Sequence, residues 1–117
     1  MDMRSPPPDT LALEWLRETF PRVFRYHDKP LMIGVHKAVM AHPGVPFSSK
    51  VLRFALHRWT GHHRYLVELG MRDEAGEPVG RRFDLRGRAV ARVSAEAAHA
   101  ARQELYRRRQ ARQKRRA

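Results

Sequence analysis

Apolar positions recur at helical spacing through residues 50–59. Val51, Leu52, Ala55, Leu56 and Trp59 share one side, while Lys50, Arg53, Phe54 and His57 gather on the other, with Arg58 at its margin. Ser48 and Ser49 stand where an N-cap is needed, and Thr60-Gly61 supplies the exit, so the pattern predicts a helix over about 50–59. Upstream, Leu11, Trp15, Leu16 and Phe20 fit one side of a shorter helix that Asp9 or Thr10 can cap and that stops before Pro21. Its aromatic stripe reads as core. Asp28-Lys29-Pro30 is a turn signal, and Leu31-Met32-Ile33 a short extended piece. Gly34 then opens a helix to about Ala41, with Val35, Val39 and Met40 inward and His36 and Lys37 outward. Two prolines and a glycine between His42 and Pro46 end it.

Beyond the central helix, residues 64–69 (Arg-Tyr-Leu-Val-Glu-Leu) partly alternate and are rich in strand formers, so they are predicted as a strand. Residues 73–78 form a turn or small loop; 81–85 and 88–93 give two further strands around the Arg86-Gly87 turn. A small antiparallel sheet is the economical arrangement. Ser94 caps a last helix whose Ala97, Ala98, Ala101 and Leu105 pack inward, with Glu96 in its positively polarised first turn. The expected fold class is therefore α+β: a mainly helical single domain over 10–105, preceded by a flexible Pro-rich lead-in, 1–9, and followed by a basic tail, 106–117.

Charge changes the picture from fold to partner. The chain has 117 residues with 24 Lys and Arg against 12 Asp and Glu, a formal net charge of +12. Such self-repulsion is most often tolerated because a polyanion is the partner, and nucleic acid leads the candidates. No apolar run approaches a membrane span, and no hydrophobic signal core opens the sequence, so no membrane partner and a cytoplasmic location are expected. The absence of cysteine excludes disulfides and thiolate metal sites. Of the seven histidines, His62 and His63 are adjacent, and His36, His42 and His57 lack a carboxylate or cysteine framework. No metal, no cofactor and no catalytic residue is therefore expected. A ribonuclease using His57, His62 or His63 lacks an evident orienting carboxylate. A helix-turn-helix DNA binder is the alternative, since helices at 34–41 and 50–59 are consecutive, but a connection through Pro43 and Pro46 exceeds that motif's short turn.

Four blocks in order carry a resemblance: Lys29-Pro30-Leu31-Met32-Ile33-Gly34, the helix and turn from Ser49 to Tyr65, Arg82-Phe83-Asp84-Leu85-Arg86-Gly87, and Ser94-Ala95-Glu96 leading to Ala101-Arg102. Together they resemble the ProQ/FinO family of bacterial RNA chaperones. The resemblance implies a non-enzymatic, monomeric protein that binds structured RNA, including small regulatory RNAs and messenger 3′ ends. Recognition would centre on the base of a terminator-like hairpin and its single-stranded 3′ end. It also implies a concave pocket at the N-terminus of the central helix. The matching positions are Ser48, Ser49, Arg53, Arg64, Tyr65 and Arg82, while Met32, Ser49 and His57 stand where many relatives carry a basic residue.

The residues support this chemistry in their own right. A helix N-terminus presents unpaired N–H groups, so Ser48, Ser49 and Lys50 suit a terminal phosphate or ribose hydroxyls. Arg53 and His57, one turn apart, can follow an RNA backbone, with Lys50 and Arg58 beside them. Tyr65 is expected either to stack on an unpaired base or to belong to the core. Arg107, Arg108, Arg109, Arg112, Lys114, Arg115 and Arg116 add sequence-independent affinity through counterion release.

Overall fold

The computed structural model describes residues 5–116. Its elements run α1 (Pro8–Thr19), α2 (Val35–Met40), α3 (Ser49–Thr60), α4 (His63–Leu69), β1 (Arg81–Phe83), β2 (Ala89–Arg92) and α5 (Ala95–Arg116). The α+β class is as expected, with helices dominating and one two-stranded antiparallel sheet. Part of the expected lead-in, residues 1–4, lies outside the described residues. Helix α1 begins earlier than the sequence suggests: Pro7 is the N-cap, with no side-chain bond, and Pro8 takes the first turn. There its missing N–H costs nothing and its fixed φ suits the helix. Asp9, freed from capping, turns instead toward α3.

The core is built from both ends of the chain's first half. Ala12 and Leu16 of α1 meet Leu52, Ala55, Leu56 and Trp59 of α3, closed by Val23, Phe24, Leu31, Val39 and Tyr65. The inward face of α3 is the one its spacing predicts, with Val51 only half-buried. Trp15 and Phe20 sit at the core's edge, packed edge-to-face at 5.8 Å. Met40, expected inward, is exposed. Helix α2 is six residues long, and only Val39 is fully buried.

The principal correction concerns residues 64–69, which are helical in α4 rather than a strand. His62 caps α4, its Nδ1 accepting from Arg64 N at 3.1 Å. Arg64 and Glu68 pair across one turn at 2.9 Å, and Tyr65, Leu66 and Leu69 fall on one helical face. Tyr65 joins the main core, with Leu69 packed against it, and α4 also packs on α5; alternation over six residues was too short to separate the two periods. Leu31 supplies the missing sheet edge. It forms a parallel bridge with Phe83, with Phe83 N donating to Pro30 O at 2.8 Å and Met32 N to Phe83 O at 2.9 Å. The β1–β2 ladder shifts register between Arg82 and Phe83.

Two loops share one device. Asp84 Oδ1 accepts from Arg86 N and Arg88 N, and Asp73 Oδ1 accepts from Ala75 N and Glu77 N. Each Asp is followed three residues later by a glycine at positive φ, Gly87 at 78° and Gly76 at 84°. The 70–80 segment is thus a turn organised by its own carboxylate. Helix α5, capped by Ser94 Oγ at 3.1 Å to Ala97 N, buries Ala98 and Ala101 and continues unbroken to Arg116. The basic tail is therefore helical through that residue.

A three-ring stack closes the end of α3. His27, at φ 61°, lies between Trp59 at 3.6 Å and His62 at 3.8 Å, nearly parallel to both. Burial, then the nearby His62 and Arg17, lower its pKa from 6.5 to about 4. As pH falls below about 6.5 the unfolded chain gains this proton while the folded chain does not until about 4, so stability is full above that window and declines across it. Urea denaturation at intervals between pH 7.5 and 4 is expected to show a slope in this window that is shallower in His27→Phe; identical slopes would remove His27 as its source.

Candidate nucleic-acid interface

Helix α3 positions the cationic face. With Leu52, Ala55, Leu56 and Trp59 committed to the core, the helical period sends Ser49, Lys50, Arg53, Phe54 and His57 to solvent. These five line one open groove of about 740 Å³. At its head, Ser48 caps α3, its Oγ accepting from Val51 N at 3.2 Å. Ser49 Oγ and its backbone O each lie 3.1 Å from His36 Nε2, which ties the N-terminus of α3 to α2. His36 was expected merely to face outward. No acidic side chain lines this groove, and Arg53, Lys50 and His57 form no ion pair among the described residues.

Other expected site residues are engaged elsewhere. Arg58 Nη1 donates to Asp9 Oδ2 at 2.7 Å and to Thr10 Oγ1 at 3.0 Å, latching the start of α1 to α3. That bond, foremost, holds the Asp9 carboxyl below its ordinary pKa. Arg64 is paired with Glu68. Tyr65 is only 3% exposed and belongs to the core. Its Oη accepts from Leu31 N at 2.9 Å, and burial raises the phenol's pKa despite that bond and the nearby Arg82. The buried ring offers no face for stacking on a base. Arg82 Nη1 donates to Leu31 O at 2.9 Å, so Tyr65 and Arg82 converge on one residue's backbone. The expected site residues thus separate into the α3 groove and a Leu31–Tyr65–Arg82 knot, and the groove's lining includes neither Tyr65 nor Arg82.

Along α5, Glu104 takes Arg107 at 2.8 Å and Arg108 at 3.1 Å. Arg109, Arg112, Lys114, Arg115 and Arg116 are exposed and have no acidic partner among the described residues. A second groove of about 510 Å³ runs between α5 and the 70–80 turn, lined by Arg72, His99, Arg102, Tyr106 and Arg107 among others. Arg72 and His99 carry no sequence signal that distinguishes them from other surface cations, and Arg102 entered only as part of the block that carries the family resemblance. Phe54 was placed on the basic face by its spacing, but only its exposure in the structure, 57%, marks it as unclaimed by the core.

The comparisons with known proteins agree with this architecture. The family model of the ProQ/FINO family matches residues 8–117. The chain belongs to the ProQ/FinO family. This is a family of RNA-binding proteins rather than enzymes. In the solution structure of a ProQ homolog from Legionella pneumophila, 28% of residues are identical over 89% of this chain and 85% of that one, with a TM-score of 0.63. The crystal structure of a FinO-like RNA chaperone from Neisseria meningitidis MC58 is similar at 22% identity, over 80% of this chain and 88% of that one, with a TM-score of 0.62. No curated protein matches the sequence. The structure leaves the DNA-binding alternative with a six-residue α2 and a connection spanning 41–48.

Removing the Tyr65 hydroxyl tests its structural role. Tyr65→Phe leaves Leu31 N–H buried and unpaired and is expected to cost about 1–3 kcal/mol. Urea unfolding measures this, and an unchanged midpoint would show that the Leu31 contact contributes nothing.

Proposed function

We propose that this ProQ/FinO protein is an RNA chaperone that captures structured RNA, above all terminator-like hairpins with a single-stranded 3′ end, and acts in post-transcriptional regulation by small RNAs. It works as a cytoplasmic monomer. The observation that carries the reading is the α3 groove: Lys50, Arg53 and His57 line it, with no acidic side chain in that lining, directly below a helix N-terminus capped by Ser48. From Lys50 to His57 the helix rises about 10 Å, long enough to meet more than one phosphate of a strand. The first-turn N–H groups favour an anion, and Ser49 offers a hydroxyl at the same end.

Selection by shape follows from the ligand's own geometry. The major groove of double-stranded RNA is deep and narrow, so side chains on a convex helix meet phosphates and 2′-hydroxyls rather than base edges. A basic α5 adds affinity without sequence preference. Under this reading the Leu31 knot acts on RNA through position: Tyr65 and Arg82 fix the segment that leads, through α2 and His36, to Ser49. The FinO-like protein from Neisseria is described as an RNA chaperone, which supports the same role here.

A hairpin with a free 3′ tail is expected to bind more tightly than the same hairpin bearing a 3′-phosphate or lacking the tail. Equal Kd values for all three would defeat terminal capture. Arg53→Ala should weaken the tailed hairpin about tenfold with little change in the thermal melt, as for one lost charge-assisted contact. Truncation after Arg108 removes five unpaired cations and should flatten the slope of log K against log salt by up to about 4, with no change in preference among hairpins.

A further inference from the structure

Phe54 stands out because nothing inside the protein uses it. The inward face of α3 is complete without it, yet its ring is 57% exposed in the middle of a cationic face. The ring separates two depressions. On one side lies the groove of Ser49, Lys50, Arg53 and His57. On the other lies a smaller one of about 420 Å³, lined by Pro8, Asp9, Lys50 and Val51. Lys50 borders both; Arg53 and His57 add positive charge on the first side, while on the second Asp9 is held in its ion pair with Arg58.

A ligand that satisfies both sides must be anionic toward Arg53 and His57 and flat and apolar over the ring. An acidic peptide supplies the charge without the flat surface. Paired RNA supplies phosphates but keeps its bases stacked within the duplex. An unpaired nucleotide has both parts, held at opposite ends. We propose that Phe54 is a stacking platform for one unpaired nucleobase of the bound RNA, with that nucleotide's phosphate among Lys50, Arg53 and His57 and its base lying toward Pro8 and Val51. This rests on the RNA-binding reading above and deepens it: the α3 face contacts single-stranded RNA through a ring as well as through its cations.

The test compares two RNAs of equal length and charge, a hairpin with an ordinary single-stranded tail and the same hairpin with an abasic tail. Phe54→Ala should weaken binding of the ordinary tail about tenfold, the scale of one base–aromatic stack, and the abasic tail less than twofold. Phe54→Trp should restore the ordinary tail, and the salt slope should be the same in all three proteins. Because Phe54 is exposed, the melt should hold for each variant. Equal losses on both RNAs, or no loss on either, would overturn the stacking role; so would a loss accompanied by a change in oligomeric state, which would assign the ring to a protein contact. Arg53→Ala separates the layers: if it weakens binding while Phe54→Ala does not, the inference fails alone, and if neither does, the α3 face is not the RNA site.

Discussion

The backbone of Leu31 is held from three directions, and the arrangement of the domain depends on it. Its N–H donates to Tyr65 Oη of α4, its carbonyl accepts from Arg82 of β1, and its neighbours exchange bonds with Phe83. Leu31 itself is buried, so an unpaired amide there would carry a full desolvation cost. Tyr65 and Arg82 lie 34 and 51 residues away along the chain. One short extended segment therefore fixes the position of α4 and the sheet relative to the first half of the protein.

From this anchor the structure extends in two directions. Immediately after it, Gly34 at φ 84° turns the chain into α2, and His36 reaches Ser49 at the head of α3. Toward the C-terminus, α4 packs on α5, with Arg102 donating to the carbonyl of Gly70 at 3.0 Å to close the α4 end. Because α1 covers the apolar face of α3, latched by Asp9 and Arg58, the opposite face cannot be drawn into the core. Its cations stay hydrated and available. Arg58 is paired with Asp9 and Arg64 with Glu68, each arginine side chain remaining more than half exposed.

Burial also divides the chemistry. Exposed cations on α3 and α5 supply long-range attraction, which falls with salt. Tyr65, which in isolation looks like a recognition residue, has been spent on structure; Phe54, which looks like a misplaced core residue, has been left outside. A ring's use is decided by whether its side of the helix faces the core, not by its type.

Much of the fold was legible in the sequence where the signal was local. The α3 face follows from period and capping; the Asp84–Gly87 turn and its strands follow from turn chemistry; Ser94 and the alanines of α5 mark the last helix; the charge excess points to a polyanion. What the sequence could not decide were choices made by distant partners. Residues 64–69 read as a strand by themselves but are helical once Tyr65 joins the core and α4 packs on α5, and Leu31 takes the place in the sheet that those residues were expected to hold. Whether Arg58, Arg64, Tyr65 and Arg82 face a ligand or another part of the chain is likewise tertiary, because a guanidinium or a phenol bonds equally well to either. The sequence by itself determined four of the five helices, the turns and the sign of the field; the tertiary structure decided α4 and which polar groups hold the elements together, since that depends on contacts tens of residues apart.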